Sequence, residues 1–282
     1  MKKILFLILI ISINNYVQAA TISPASLCLE EFDIGLNVDL GIDFVISNVH
    51  NVGPVKLSTQ IPEIEKILKG YSPIPDNSWL YFLNYQIVPD KNGFARARMF
   101  LKVPNDEKYL NQHWCVYVSA YPPKMGFLIP KLVAIYMIET KADSNVNKKP
   151  FGELGVVPSR IELENVIPEK KRQASFRIYN NDKTSHTYKL SVQTFDPSFY
   201  QKLQISNAPG YEWVKYTNWV KLEKDIVELQ SGKTKDIKLN VRIPTKIQPE
   251  DDGFEAVVMV ESITNKNIAN FTRVLIKPEI KD

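Results

Sequence analysis

Trp79 and Trp219 lie 140 positions apart, and so do Val103-Pro104 and Ile243-Pro244. Trp79-Leu80-Tyr81-Phe82 leads through Lys91-Asn92-Gly93 to a run from Met99 to Val103 and on to Trp114. Trp219-Val220-Lys221-Leu222 leads in the same order through Gln230-Ser231-Gly232 to Ile243-Pro244 and a run from Phe254. Upstream, Lys56-Leu57-Ser58-Thr59-Gln60 is echoed by Lys189-Leu190-Ser191-Val192-Gln193. Pro24 with Leu27 and Leu29 is echoed by Pro158 with Ile161 and Leu163. Self-similarity at this period means tandem domains rather than a solenoid, because each unit is long enough to bury its own core.

Within each unit the pattern is that of short strands. Residues 23–30 alternate apolar and polar positions, as a strand with one wet face does. Strands are expected at 43–47, 55–60, 156–164, 174–180, 187–193 and 271–277, with turn-forming residues between them. Residues 61–70 are compatible with a helical turn, and the apolar run 128–140 with the last strand of the first unit. The predicted class is all-β: two tandem immunoglobulin-like antiparallel β-sandwiches after a cleaved signal peptide. The units occupy 21–140 and 151–282, joined by the polar linker 141–150, which is short enough to leave them hinged but not independent. Trp79 and Trp219, at the same place in both copies, are expected to plug the gap between sheets as structural core.

Residues 1–20 carry a basic head, the apolar run Ile4 to Ile11, and small residues at Ala19-Ala20. This is the grammar of a secretory signal peptide, and the apolar run is well short of the ~20 residues of a spanning helix. A soluble periplasmic, secreted or cell-surface protein is expected, with no membrane span in the mature chain. The formal charge of +4 falls to +2 once Lys2 and Lys3 leave. So balanced a chain points neither to nucleic acid nor to an anionic membrane. Lys170-Lys171-Arg172 reads as a hairpin tip, and Glu250-Asp251-Asp252 as a solvated loop without the alternating ligands of a calcium site. Two cysteines, Cys28 and Cys115, are compatible with a disulfide in an exported chain, or with two separate thiols facing different layers.

Motifs for chemistry are missing. His50, His113 and His186 fall in different segments, and no carboxylate-histidine-serine order suggests a triad. There is no GxSxG, HExxH, phosphate loop or paired-cysteine zinc spacing, so no catalytic residue, cofactor or metal is expected. The triplet Asn270-Phe271-Thr272 fits a glycosylation acceptor but lies in a predicted strand and is assigned no role.

Several elements of the second unit occur in a telling order: Val157-Pro158-Ser159-Arg160-Ile161-Glu162-Leu163, Phe176-Arg177-Ile178-Tyr179-Asn180, Leu229-Gln230-Ser231-Gly232-Lys233, Arg242-Ile243-Pro244, and Arg273-Val274-Leu275-Ile276-Lys277-Pro278. This order resembles the immunoglobulin-like N-terminal domain of PapD-like periplasmic pilus-assembly chaperones, over most of 156–279 and more faintly over 22–140. The resemblance implies that Arg160 and Arg273 meet in a cleft and hold the terminal carboxylate of a pilus or surface-protein subunit, whose last strand then adds to a sheet edge. The chain departs from the family in having two similar units, Ser26 where the second unit has Arg160, and the polar turn 262–268 where a donor strand would stand. The apolar stretch of Phe127, Ile129 and residues 132–138 is either a donor edge or a buried strand. Two functions are therefore expected: a periplasmic chaperone-like protein acting by strand-edge addition, or a non-catalytic structural or adhesion module of a secreted or surface assembly.

Overall fold

The computed structural model describes residues 19–50, 53–123, 131–193, 207–245 and 253–279. The signal-peptide residues 1–18, Phe127, Ile129 and Glu250-Asp251-Asp252 lie outside the described residues. The first half holds β1 (Thr21–Ser23), β2 (Ser26–Phe32), β3 (Asn37–Ser47), β4 (Val55–Gln60), β5 (Ser72–Pro73), β6 (Leu80–Phe82), β7 (Gln86–Ile87), β8 (Ala95–Lys102), β9 (His113–Tyr121) and β10 (Leu132–Thr140). The second holds β11 (Leu154–Val157), β12 (Arg160–Val166), β13 (Arg172–Asn180), β14 (His186–Gln193), β15 (Tyr211–Trp213), β16 (Val220–Leu222), β17 (Ile226–Leu229), β18 (Thr234–Val241), β19 (Gly253–Ser262) and β20 (Ala269–Pro278).

The halves match strand for strand. A four-stranded sheet β1-β3-β8-β6 faces a six-stranded sheet β2-β10-β9-β4-β7, with β5 beside β9. In the second half β11-β13-β18-β16 faces β12-β20-β19-β14-β17, with β15 beside β19. Each half begins with a strand that changes sheets. Pro24 and Pro158 sit at the change, where a residue without an N–H donor ends one ladder and the chain crosses to the other. Most pairings are antiparallel, but β2 runs parallel to β10, β12 to β20, β5 to β9 and β15 to β19. Residues 156–164, expected as one strand, are thus two strands in two sheets.

Each sandwich has its own core. Phe44, Ile46, Leu80, Met99 and Trp114 belong to the first, and Phe176, Ile178, Leu239, Phe254 and Val274 to the second. Strand β8 alternates strictly, with Ala95, Ala97, Met99 and Leu101 inward, because its other face meets solvent. Strands β9, β19 and β20 do not alternate: almost every residue is buried. A strand buried on both faces needs cover on its outer side, and each six-stranded sheet supplies it for the other. Tyr71, Cys115 and Met137 pack there against Val257, Met259 and Phe271 as a third apolar cluster.

Trp219 is buried and meets the Phe254 ring edge-on at 5.0 Å. Trp79 is half-buried and packs on Trp114, 5.4 Å away, and on Tyr109. Both tryptophans end a 3-10 turn, so each strand starts one residue later than the sequence suggests. Residues 61–70 contribute only the 3-10 turn Ile64–Lys66.

The linker is not a free hinge. Asn111 accepts from the Asp143 N–H and donates to its carbonyl, Lys148 pairs with Asp106, and the Phe151 N–H donates to the Lys108 carbonyl. Polar residues that contribute nothing to a core here bond the backbone down against the first sandwich.

Candidate functional site

The seam between the six-stranded sheets holds both predicted anchor residues. Register places Arg160 of β12 directly beside Arg273 of β20. The corresponding pair in the first half is Ser26 and Ile135, so the two cations are a feature of the second copy alone. Arg273 is fully buried. Its Nε and Nη2 donate to the two oxygens of Glu139 at 2.8 and 2.7 Å, and its Nη1 donates to Glu255 at 2.6 Å. Glu139 ends β10 in the first half, and Glu255 lies on β19.

Arg160 reaches the first half too. Its Nη2 donates to Glu30 at 2.8 Å, and its Nε stands 3.1 Å from Glu31. Adjacent residues of a regular strand point to opposite faces. Here β2 bulges against β10 between Leu29 and Phe32, and Glu31 adopts a φ of 51°. An extra residue in a strand re-aims its side chains, which brings Glu30 and Glu31 to one arginine.

The two arginines do converge, but not on an open cleft. Four carboxylates of the chain itself already engage them: Glu30, Glu31, Glu139 and Glu255. The sequence resemblance names two arginines that register brings together, with carboxylates of the chain itself where it implies a partner's. It misses that Arg273 sits in the apolar run Phe271 to Ile276, and an arginine in a doubly buried strand needs an internal partner.

The electrostatics follow from this crowding. Burial alone would push the Glu139 carboxyl up, but the Arg273 charge, His113 and hydrogen bonds from Arg273 and Tyr71 outweigh it and hold the group at about 2. Burial raises the Glu255 carboxyl, and Arg273 with the Ala208 N–H only partly offsets that. Burial likewise raises Glu31, against the opposing pull of Arg160. His113 is pushed down by burial. The Asn270 side chain donates to the Leu154 carbonyl and accepts from the Phe271 N–H through its oxygen. That oxygen lies 2.9 Å from His113 Nδ1, so the imidazole carries its proton there. The ring stacks on Phe271 at 3.8 Å. Asn111 accepts from the Ser159 N–H, and Lys69 pairs with Glu261. Both contacts span the halves.

The disulfide reading requires correction: Cys28 and Cys115 are free thiols. Both are register partners of Met137, one on each side of β10. Two inter-strand spacings amount to roughly 9–10 Å, whereas bridged cysteines need Cα atoms within about 7 Å. The Cys28 thiol instead donates to Glu139 at 3.7 Å. Burial pushes the Cys28 thiol far up, and Cys115 up to about 12.

A second cluster, unforeseen because its members lie far apart in sequence, surrounds His186. Its Nε2 faces Asp182 at 2.6 Å, and its Nδ1 faces Ser262 and Thr264 at 2.9 and 2.8 Å. A carboxylate, an imidazole and a hydroxyl therefore do meet. Ser262 is buried and its Oγ accepts from the Asn265 N–H, while Ser231 donates to the Asp182 carbonyl. These contacts tie three loops together at one end of the sandwich. Hydrogen bonds from His186, Thr184 and the Lys183 N–H hold the Asp182 carboxyl at about 2. No group of three or more metal-ligating side chains occurs among the described residues.

No family model and no curated protein matches the chain. Among solved structures, the periplasmic chaperone SfaE is 15% identical, covers 45% of this chain and 58% of its own length, and has a TM-score of 0.32. The E. coli chaperone DraB is 14% identical, with coverage of 46% and 57% and a TM-score of 0.31. A protein of unknown function from Porphyromonas gingivalis W83 is 11% identical, with coverage of 92% and 99% and a TM-score of 0.34. The chain thus spans less than two thirds of either chaperone structure. Likenesses at this level carry no argument about function, and the class rests on the sheets themselves. By strand order and sheet pairing, the protein is all-β, built of immunoglobulin-like β-sandwiches.

Proposed function

We propose that this chain is an exported, non-catalytic protein-binding module whose two sandwiches are clamped into one body, serving a secreted or cell-surface assembly as a rigid platform. One observation carries this reading. Arg160 and Arg273, the residues that would hold a partner's terminal carboxylate, are engaged by Glu30, Glu31, Glu139 and Glu255, and Arg273 has no exposed surface. Removing a charge from such a network is costly, so the network favours one fixed arrangement of the halves. The partner-binding surface then falls on the outer sheet edges, such as β7 and β17, where backbone groups can pair with an added strand.

The chaperone-like reading, capture of pilus or surface-protein subunits in the periplasm, is supported by the chemistry of the seam. Two arginines in register bind carboxylates, and a client terminus would have to displace Glu139 or Glu30. Affinity capture from an exported fraction, with wild type and Arg160→Ala side by side, separates the two. The platform reading expects the same stable partner with both proteins. Subunits bound transiently by wild type and lost by a folded Arg160→Ala variant would overturn it.

A further inference from the structure

The duplication provides an internal control, because the same sheet edge occurs twice with different side chains. Strands β7 and β17 each end a six-stranded sheet. The Leu57 N–H donates to the Tyr85 carbonyl at 2.8 Å, and at the same place in the second half the Leu190 N–H donates to the Asp225 carbonyl at 2.7 Å. Residue pairs of an antiparallel ladder alternate between bonded and non-bonded. Val55 with Ile87, and Tyr188 with Val227, are therefore bonded pairs as well. The backbone N–H and C=O groups of Gln86 and Val88, and of Ile226 and Glu228, then point out of the sheet. Such edges are normally guarded by charge. The second half obeys this with Glu223, Lys224, Asp225 and Glu228, all exposed. The first half has Leu83, Asn84, Tyr85 and Val88 at those positions, with Leu83, Tyr85 and Val88 exposed by 67%, 43% and 73%. One backbone carries both versions, so the fold does not demand the bare one.

The two edges fit each other. Ile87 points into the core, so Gln86 and Val88 lie on the opposite face with Lys56, the exposed register partner of Gln86. On β17, Val227 and Leu229 point inward, which leaves Ile226 and Glu228 on that same outer face. Set antiparallel so that both outward residues of each strand are used, Val88 falls opposite Ile226, itself 53% exposed, and Gln86 opposite Glu228. Apolar meets apolar, and Glu228 comes within reach of Lys56 across Gln86. Past the strand ends, the same register brings Asp90 toward Lys224 and Lys91 toward Glu223. Pairing β7 with another β7 sets Gln86 against Val88 and offers Lys56 no carboxylate. Pairing β17 with another β17 sets Glu228 against Ile226 twice.

We infer that β7 of one molecule pairs antiparallel with β17 of a second copy of this chain, joining two six-stranded sheets edge to edge. Every molecule holds one bare edge and one charged edge, so the contact is heterologous and repeats head to tail from copy to copy. The inference rests on the platform reading, in which the outer edges carry the partner, and it names that partner.

The test is analytical sedimentation of the exported chain over a concentration series, beside Gln86→Pro and Glu228→Pro. Each substitution removes an outward N–H that the ladder within the sheet does not use, and proline is accepted at such edge positions. Val88→Lys and Ile226→Lys, at exposed positions, decide the matter if circular dichroism shows a proline variant to be unfolded. Wild type is expected to gain mass with concentration, and each variant to associate about tenfold more weakly or worse. An equimolar mixture of Gln86→Pro and Glu228→Pro should form a dimer, because one supplies an intact β17 and the other an intact β7. The inference is overturned by a wild type that stays a single chain at every concentration, by a folded variant of either edge that associates as wild type does, or by a mixture no heavier than its components. A single-chain wild type that still captures a foreign strand at β7 overturns this inference alone and leaves the platform reading standing.

Discussion

Arg273 and Glu139, 134 positions apart, meet through two hydrogen bonds of 2.7 and 2.8 Å with both side chains buried. One residue comes from each half, so the pair ties the sandwiches together. Separating the two six-stranded sheets would break this pair and expose the apolar cluster of Tyr71, Cys115, Met137, Val257, Met259 and Phe271 to water.

Breaking that pair from one side leaves an uncompensated buried charge. Arg273→Ala or Glu139→Gln should therefore lower unfolding free energy by about 3–5 kcal/mol, read from urea denaturation. Replacing both partners by apolar residues of similar volume should cost less than either single change. Additive losses would mean the two groups do not act as a pair.

The carboxyls at the seam have opposite pH signatures. Glu139 sits at about 2 in the folded protein against an ordinary 4.5, so the folded state holds its proton less tightly than the unfolded chain. Its stabilisation is complete above about pH 4.5 and is lost as pH falls toward 2. Glu255 is raised, so its contribution is present at low pH and fades as pH rises through its folded value. At pH 7, Glu255→Gln should be the milder substitution, and the acid limb of the stability curve should flatten only in Glu139→Gln. The reverse ranking would contradict the assignment.

The two thiols should behave as inert core groups. A thiol reagent should modify neither Cys28 nor Cys115 over minutes in the folded protein and both after unfolding, because burial disfavours the thiolate. Denaturation midpoints should agree with and without reductant. Faster migration on a non-reducing gel would show a bridge.

Gly70 has a φ of +92°, and a Cβ there would stand 2.7 Å from the Phe271 ring across the seam. Gly70→Ala should destabilise by about 1–3 kcal/mol. Adding Phe271→Leu should recover part of the loss, leaving the share due to the left-handed backbone. No recovery would place the whole cost in the backbone.

Trp219→Ala should cost about 3–5 kcal/mol, and Trp79→Ala less, because Trp79 is only half-buried. Chemical denaturation of the two variants checks the ranking.

Much of the fold was legible before any coordinates. The repeat announces two copies, the alternation in β8 and the turn residues announce strands, and the tryptophans mark one place in both. Two observations in the same sequence carry more than strand alternation alone can draw out. Phe254 to Val260 and Phe271 to Ile276 do not alternate, which is the mark of strands covered on both faces. Arg273 interrupts the second of these runs, which is the mark of a buried, partnered charge.

The sequence by itself determined the class and the duplication, because these follow from local periodicity and from order along the chain, while the two arginines entered only through the family resemblance. The tertiary structure decided what the arginines hold and why the cysteines stay apart. Those outcomes depend on which residues of distant strands share a register: Glu139 reaches Arg273 only once two sheets stack, and Met137 separates Cys28 from Cys115 only once three strands align.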